Sequence, residues 1–225
     1  MTPTPTPTLA ARDWAEIQER MLVPLYEAVF DRLEIGPGDR LLGLDCGAGL
    51  ALLLAEGRGA AATGVEADPA RRALARERLL EVAATTPAGV RPYDVLLGFS
   101  TSPAALAAAL PAVRRGGAVV LAGWGPAERC TVPAVHGCGP VPQDLDAVVE
   151  AAGLVPDGSG RVFCPFGYAD ADSAVRGLLS TGLYDRSCDP AQVEKELAEA
   201  LHPYERADGA VWLPNIFRYV IARVP

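Results

Sequence analysis

The stretch Arg40-Leu41-Leu42-Gly43-Leu44-Asp45-Cys46-Gly47-Ala48-Gly49, continued by Leu50-Ala51-Leu52-Leu53-Leu54-Ala55, decides how this chain is read. Residues 40–44 form a short apolar run of strand length, Gly47 and Gly49 stand where a chain can turn sharply, and residues 50–55 are strong helix formers. Strand, tight loop and helix make the first part of a βαβ unit. A second apolar run, residues 62–65, ends at Glu66. Asp68-Pro69 then supplies a helix start, and the arginine-rich segment behind it reads as a helix to about Ala84.

The alternation continues outward. Tyr93 to Phe99 reads as a buried strand, residues 103–113 as a helix, and residues 118–122, behind Gly116-Gly117, as another strand. Upstream, Trp14, Ile17, Met21, Leu22, Leu25, Tyr26, Val29, Phe30 and Leu33 recur at three- and four-residue steps, the mark of one apolar helical stripe, closed by Gly36-Pro37-Gly38. Downstream, residues 145–152 predict a helix, 160–166 a strand, 171–179 and 191–201 amphipathic helices, and 215–224 a last strand. This order predicts an α/β fold, a doubly wound and mostly parallel sheet covered on both faces. Residues 1–10, rich in Thr-Pro repeats, read as a disordered tail, and residues 11–225 as one domain.

Composition narrows the function classes. A net charge of −8 sets up a field that repels phosphate backbones, so nucleic acid is not an expected partner. Arg71, Arg72, Arg76 and Arg78 do cluster, but Glu77 and Glu81 lie among them, as on a solvated helix face. The start has neither a basic segment nor an apolar run, and no stretch is long enough to span a bilayer, so the expectation is a cytoplasmic protein without membrane contact. Five cysteines without a CxxC pair read as reduced thiols. Cys130, His136 and Cys138 lack a fourth ligand, so no metal site is expected.

In an open α/β sheet, ligands bind beyond the carboxyl ends of the strands, and here the first two strands end in a glycine loop and an acid. Gly47 and Gly49 let backbone approach a ligand closely, and Glu66, 17 residues beyond Gly49, can accept from both hydroxyls of a ribose. The bland alternative is a tight turn followed by a surface carboxylate. A GxGxxG dinucleotide loop would need a third glycine at position 52, which is Leu52, and this weighs against a nicotinamide oxidoreductase.

A wider pattern surrounds this loop: Trp14-Ala15-Glu16-Ile17-Gln18, then Pro24-Leu25-Tyr26-Glu27-Ala28, residues 41–49, Thr63-Gly64-Val65-Glu66-Ala67, Gly116-Gly117-Ala118-Val119-Val120 with Trp124, and Leu213-Pro214-Asn215-Ile216-Phe217-Arg218-Tyr219. In order and spacing it resembles the class I S-adenosylmethionine-dependent methyltransferases, small-molecule type, of high-GC bacteria. The resemblance implies a Rossmann-like sheet whose last strand is antiparallel, and S-adenosylmethionine as cofactor. It implies that Gly47 and Gly49 pass beneath the methionine and ribose, Glu66 holds the ribose hydroxyls, Ala67 flanks the adenine, and Gly98 and Phe99 border the reactive methyl. Helical lid elements near residues 171–201 and the segment around Trp14 and Tyr26 would cover the pocket. The implied activity is methyl transfer to a small molecule; the alternative is a degenerate methyltransferase fold, without catalysis, that serves as a binding or partner protein. The sequence nominates no catalytic residue.

Two departures stand out. The family begins its glycine loop with an acid where this chain has Gly43, and has glycine at Asp45; Asp45 either supplies the missing carboxylate or obstructs the loop. Further, once the arginine-rich helix is counted to Ala84, residues 85–92, with Pro87, Gly89 and Pro92, leave no room for the family's third strand and adenine loop. The third strand is therefore expected to be absent and residues 62–65 to form the sheet edge. That edge would be covered by the chain's own helix and loop or by another chain, as in a homodimer, and cofactor binding would be weak.

Overall fold

The computed structural model describes residues 7–89, 91–99, 101–135, 143–182 and 189–225. Its strands are β1 Arg40–Leu44, β2 Ala61–Val65, β3 Val82–Ala83, β4 Tyr93–Phe99, β5 Val113–Trp124, β6 Val155–Phe163, β7 Phe166–Tyr168, β8 Val211–Leu213 and β9 Ile216–Arg223. Its α-helices are α1 Leu9–Asp13, α2 Val23–Leu33, α3 Leu50–Gly57, α4 Pro69–Glu77, α5 Pro103–Ala109, α6 Thr131–Val135, α7 Leu145–Ala151, α8 Ala171–Leu179 and α9 Pro190–Leu201. Seven strands form one sheet in the order β3-β2-β1-β4-β5-β9-β6, and β7 pairs with β8 in a second, antiparallel ribbon.

Leu41, Val95, Leu97 and Val120 pack into one core, with Leu25 and Phe30 of α2 and Leu52 of α3. Their immediate neighbours Leu42, Leu96, Val119 and Leu121 pack into another, with Leu106 of α5 and Val149 of α7. This two-residue period, apolar on both sides, is what a parallel sheet between two helical layers requires. Within the large sheet β9 alone runs against its neighbours, antiparallel to both β5 and β6, as the sequence led one to expect. The helices start where short polar side chains can cap them: Asp68, Ser102, Asp144, Asp170 and Asp189 each accept from backbone N–H groups of the first turn.

The expected absence of a third strand is corrected by β3, which pairs in parallel with β2, Gly64 opposite Val82 and Val65 opposite Ala83. The arginine-rich helix ends at Glu77, not near Ala84. Leu79 takes the left-handed conformation, φ 65°, while the Leu80 N–H returns to the Ala75 carbonyl, a Schellman-type ending with leucine in the usual place of glycine. Arg76 then donates from both Nε and Nη2 to the Val82 carbonyl, at 3.0 and 2.7 Å, and fixes the returning chain beside β2. The edge of the sheet is thus β3 and not β2. Residues 85–89, 91 and 92 form no strand.

The single N-terminal helix is corrected as well. α1, capped by Thr8, already contains Leu9 and Ala10, which the sequence reading placed in the tail; residues 1–6 of that tail lie outside the described residues. A π-helical turn, Trp14–Gln18, and a 3-10 turn, Glu19–Leu22, separate α1 from α2. Pro24 has no N–H to return to the Arg20 carbonyl, and the Val23 N–H takes that acceptor in a tighter bond. The change of pitch turns Trp14, Gln18 and Glu19 toward the carboxyl ends of the strands.

Smaller differences follow local geometry. The helix read over residues 103–113 gives way to a 3-10 turn at Leu110–Ala112, and β5 already starts at Val113. The strand read over 160–166 divides into β6 and β7. Asn215, fully buried ahead of β9, accepts from the Thr131 and Val132 N–H groups at 3.0 and 3.1 Å and donates to the Leu213 carbonyl at 2.9 Å. It pins α6 over the sheet. Asn215→Ala leaves the Val132 N–H unpaired in the interior and is expected to destabilise the fold by about 1–3 kcal/mol in urea titrations.

Candidate active site

The carboxyl ends of β1, β4 and β5 open into a cavity of about 330 Å³. Its floor at β1 carries Gly43, Leu44, Asp45 and Cys46, and Trp14, Gln18 and Glu19 lean over that end. Its other end is apolar: Leu25, Tyr26, Leu97, Phe99, Ala122, Trp124, Val132, Phe166 and Phe217. Tyr26 meets Phe99 edge-on at 4.9 Å between ring centroids, and Trp124 meets Phe217 at 4.5 Å and Phe166 at 5.8 Å.

The glycine loop uses the left-handed region three times, at Asp45 (φ 48°), Gly47 (φ 60°) and Gly49 (φ 89°), the last heading α3. Aspartate tolerates that region better than most residues. Asp45 is exposed at the rim, so its side chain does not fill the loop. Gly43 is closely packed, since a Cβ there would lie 2.9 Å from Leu52 Cδ2 and the leucine side chain would have to shift. A Cβ on Gly47 would come within 2.6 Å of Trp14 Nε1, and one on Gly49 within 2.2 Å of Leu80 Cδ1. The glycines therefore serve close packing as much as turning.

Glu66 is only 6% exposed, with Oε2 accepting from the Gly47 N–H at 2.7 Å and Oε1 from the Asp68 N–H at 2.8 Å. It ties the end of β2 to the glycine loop. Ala67 is exposed beside it, its carbonyl accepting from Arg72. Phe99 faces the cavity, whereas Gly98 packs against Thr101 and Leu121, within 3.0 to 3.3 Å of where its Cβ would stand. Of the seven residues the sequence singles out, Asp45 and Phe99 line the cavity, whereas Gly47, Gly49, Glu66, Ala67 and Gly98 do not, Glu66 and Gly47 being joined to each other instead.

Sequence reasoning missed Glu19, which is 2% exposed. Its Oε1 accepts from the Leu50 N–H at the start of α3, at 3.1 Å, and its Oε2 pairs with Arg78 at 2.9 Å. Arg78 also donates to the carbonyls of Ala48 and Ala15. One cation thus joins the glycine loop, the N-terminal segment and the residue behind α4. Arg71 lies 4.3 Å from the Trp14 ring centroid and donates to the Ser180 carbonyl behind α8. Trp14 Nε1 itself is buried without a hydrogen-bond partner. No local pattern marks these charged residues in advance; long-range packing selects them.

Burial is the largest influence on both acids, and it holds the carboxyls of Glu19 and Glu66 above the ordinary glutamate value despite their N–H donors and Arg78 or Arg71. A carboxyl whose pKa is higher in the folded than in the unfolded state contributes stability that is present below the unfolded value, near 4.5, and lost as pH rises through the folded one. The melting temperature is therefore expected to rise as pH falls from 7 toward 5, and Glu19→Gln should flatten that slope. A slope of opposite sign, or one unchanged in the variant, would contradict this. Below about pH 4 the trend should reverse, because Arg114 and the Arg40 N–H hold Asp94 below the ordinary aspartate value against the opposing effect of its burial.

His202 is largely exposed, beside Glu205, and does not line the cavity; His136 and Cys138 lie outside the described residues. Cys130 is buried with its thiol donating to the Ile216 carbonyl. Among the described residues no group of three or more His, Cys, Asp and Glu side chains could hold a metal ion, and no helix is long and apolar enough to cross a membrane.

The strand order, the lone antiparallel β9 and the glycine loop followed by an acid define the fold shared by class I S-adenosylmethionine-dependent methyltransferases. Solved structures bear out the fold. A methyltransferase from Geobacter sulfurreducens, in complex with S-adenosyl-L-homocysteine, matches with a TM-score of 0.54 and 16% identity over 98% of this chain and 100% of that one. A putative methyltransferase from Bacillus halodurans matches at 0.59 and 10% identity, over 89% and 98%. The [4+2]-cyclase SpnF matches at 0.58 and 17% identity, over 89% and 80%. No family model matches the chain, and no curated protein does.

Proposed function

We propose that this protein binds S-adenosylmethionine beside the glycine loop and transfers its methyl group to a small molecule held in the cavity. The observation that carries this reading is the continuity of the site: one cavity runs from the β1 loop, past Phe99 at the end of β4, into a separate apolar end. The residues fit the cofactor. Each Glu66 oxygen keeps a lone pair free for a ribose hydroxyl, and the buried, unpartnered Trp14 N–H beside Gly47 is a donor suited to an anionic group. Because Glu66 is so little exposed, the Trp14–Arg71 stack next to it must shift before a nucleoside enters. α8 and α9 act as the cover in this reading, with Ser180 and Thr181, just behind α8, on Arg71 and on the cavity wall respectively.

When bound, S-adenosylmethionine supplies an electrophilic methyl group. The chain's own part is to hold the acceptor in line with it and to exclude water, and no group on the apolar wall needs to form a covalent bond. Calorimetric titration with S-adenosylhomocysteine tests the reading. Binding in the micromolar range supports it. If S-adenosylhomocysteine does not bind, the reading fails, and the non-catalytic binding or partner role takes its place.

A further inference from the structure

Resting on that reading, the geometry points to an apolar amine as the methyl acceptor, a single ring or short hydrocarbon bearing an amino nitrogen. The size follows from the cavity, which lies at the lower end of the range of about 300–1,000 Å³ usual for ligand sites and must also admit part of the cofactor. The apolar character follows from the far wall, where Tyr26, Phe99, Trp124, Phe166 and Phe217 offer aromatic surface and Leu25 and Val132 fill the gaps.

The nitrogen follows from what that wall lacks. Among the described residues no histidine or lysine lines the cavity, and the one cation among them, Arg71, stands at the polar end, stacked on Trp14. Glu19 is bound to Arg78 and the Leu50 N–H, and Asp45 faces solvent at the rim. An alcohol or phenol would need a base to take its proton, and a carboxylate would bring an uncompensated anion against aromatic faces. An amine needs neither. Apolar surroundings favour its neutral form, whose lone pair forms the new N–C bond while the electrons of the breaking C–S bond stay on sulfur. The positive charge passes from sulfur to nitrogen, so the cavity holds one cation before and after, and ring faces stabilise it there. The excess N–H proton then leaves to water. The protein's net charge of −8 also favours the approach of a protonated amine, which gives its proton to bulk water before the neutral nitrogen enters the apolar end.

Three probes of one shape separate the possibilities: 2-phenylethylamine, 2-phenylethanol and phenylacetate, titrated into the protein saturated with S-adenosylhomocysteine. The amine and alcohol are expected to bind, and phenylacetate about tenfold or more weaker. With S-adenosylmethionine, only the amine should gain a methyl group, read by mass spectrometry. Ala122→Phe, or Val132→Phe if the first variant does not fold, should abolish amine binding by filling the apolar end. Phenylacetate binding as tightly as the amine, methylation of the alcohol, or amine binding unaffected by the filled cavity would each overturn the assignment. Failure of S-adenosylhomocysteine to bind would instead remove the underlying reading, a result the first titration shows independently of the probes.

Discussion

Arg78→Ala is expected to destabilise the protein by about 3 kcal/mol, read as a shift of the urea midpoint at pH 7. The effect is large because Arg78 is the ionic partner of a carboxylate that is 2% exposed, and because the same guanidinium satisfies the carbonyls of Ala48 and Ala15. Removing it strands Glu19 in a site that already holds its carboxyl above the ordinary value. Proton uptake by Glu19 bounds the loss, so the variant should recover part of its deficit at pH 5. The double variant Glu19→Gln/Arg78→Ala should be more stable than Arg78→Ala alone. Equal stabilities would show that Arg78→Ala strands no costly charge at Glu19.

The second large effect concerns affinity. Glu66→Ala should weaken S-adenosylhomocysteine binding about tenfold or more, since each bond from a neutral donor to a charged acceptor is worth about 1.5–3 kcal/mol. Glu66→Gln should fall between, as it keeps an acceptor oxygen but loses the charge. The substitution also removes the partner of the Gly47 and Asp68 N–H groups, so melting temperatures must accompany the titrations. Unchanged calorimetric affinity in a folded Glu66→Ala protein would place the nucleoside elsewhere.

Elements with strong local punctuation were legible in the sequence. β4 spans Tyr93–Phe99 and α8 spans Ala171–Leu179, as read, because an apolar run between prolines and polar residues, and a capping Asp170, leave few alternatives. The central loop from β1 to α3 was legible for the same reason. What failed were boundaries set by distant partners. α4 stops at Glu77 because Leu80 packs on Gly49 and Arg76 captures the Val82 carbonyl, contacts that no propensity scale contains. That early stop creates β3, so the inferred gap in the sheet closes with two residues. The N-terminal stripe kept its apolar period through the π and 3-10 turns, so periodicity did not reveal where the pitch changes. In the site, the glycines and Glu66 announced themselves, whereas Glu19 and Arg78 are ordinary charged residues until folding brings them together across 59 positions.

The placement of β9 has a bearing on how the chain is made. β9 lies between β5 and β6, and every ladder bond of β6 in the large sheet is to β9. As the polypeptide emerges vectorially, β3-β2-β1-β4-β5 can assemble from residues 40–124, but the β5 margin stays bare and β6 stays unattached until residues 216–223 appear. Strand insertion between two earlier strands is a long-range closure and hence a slow one. The interval exposes Val119, Val120 and Leu121 along an unpaired apolar margin, the kind of surface on which nascent chains associate wrongly or engage chaperones.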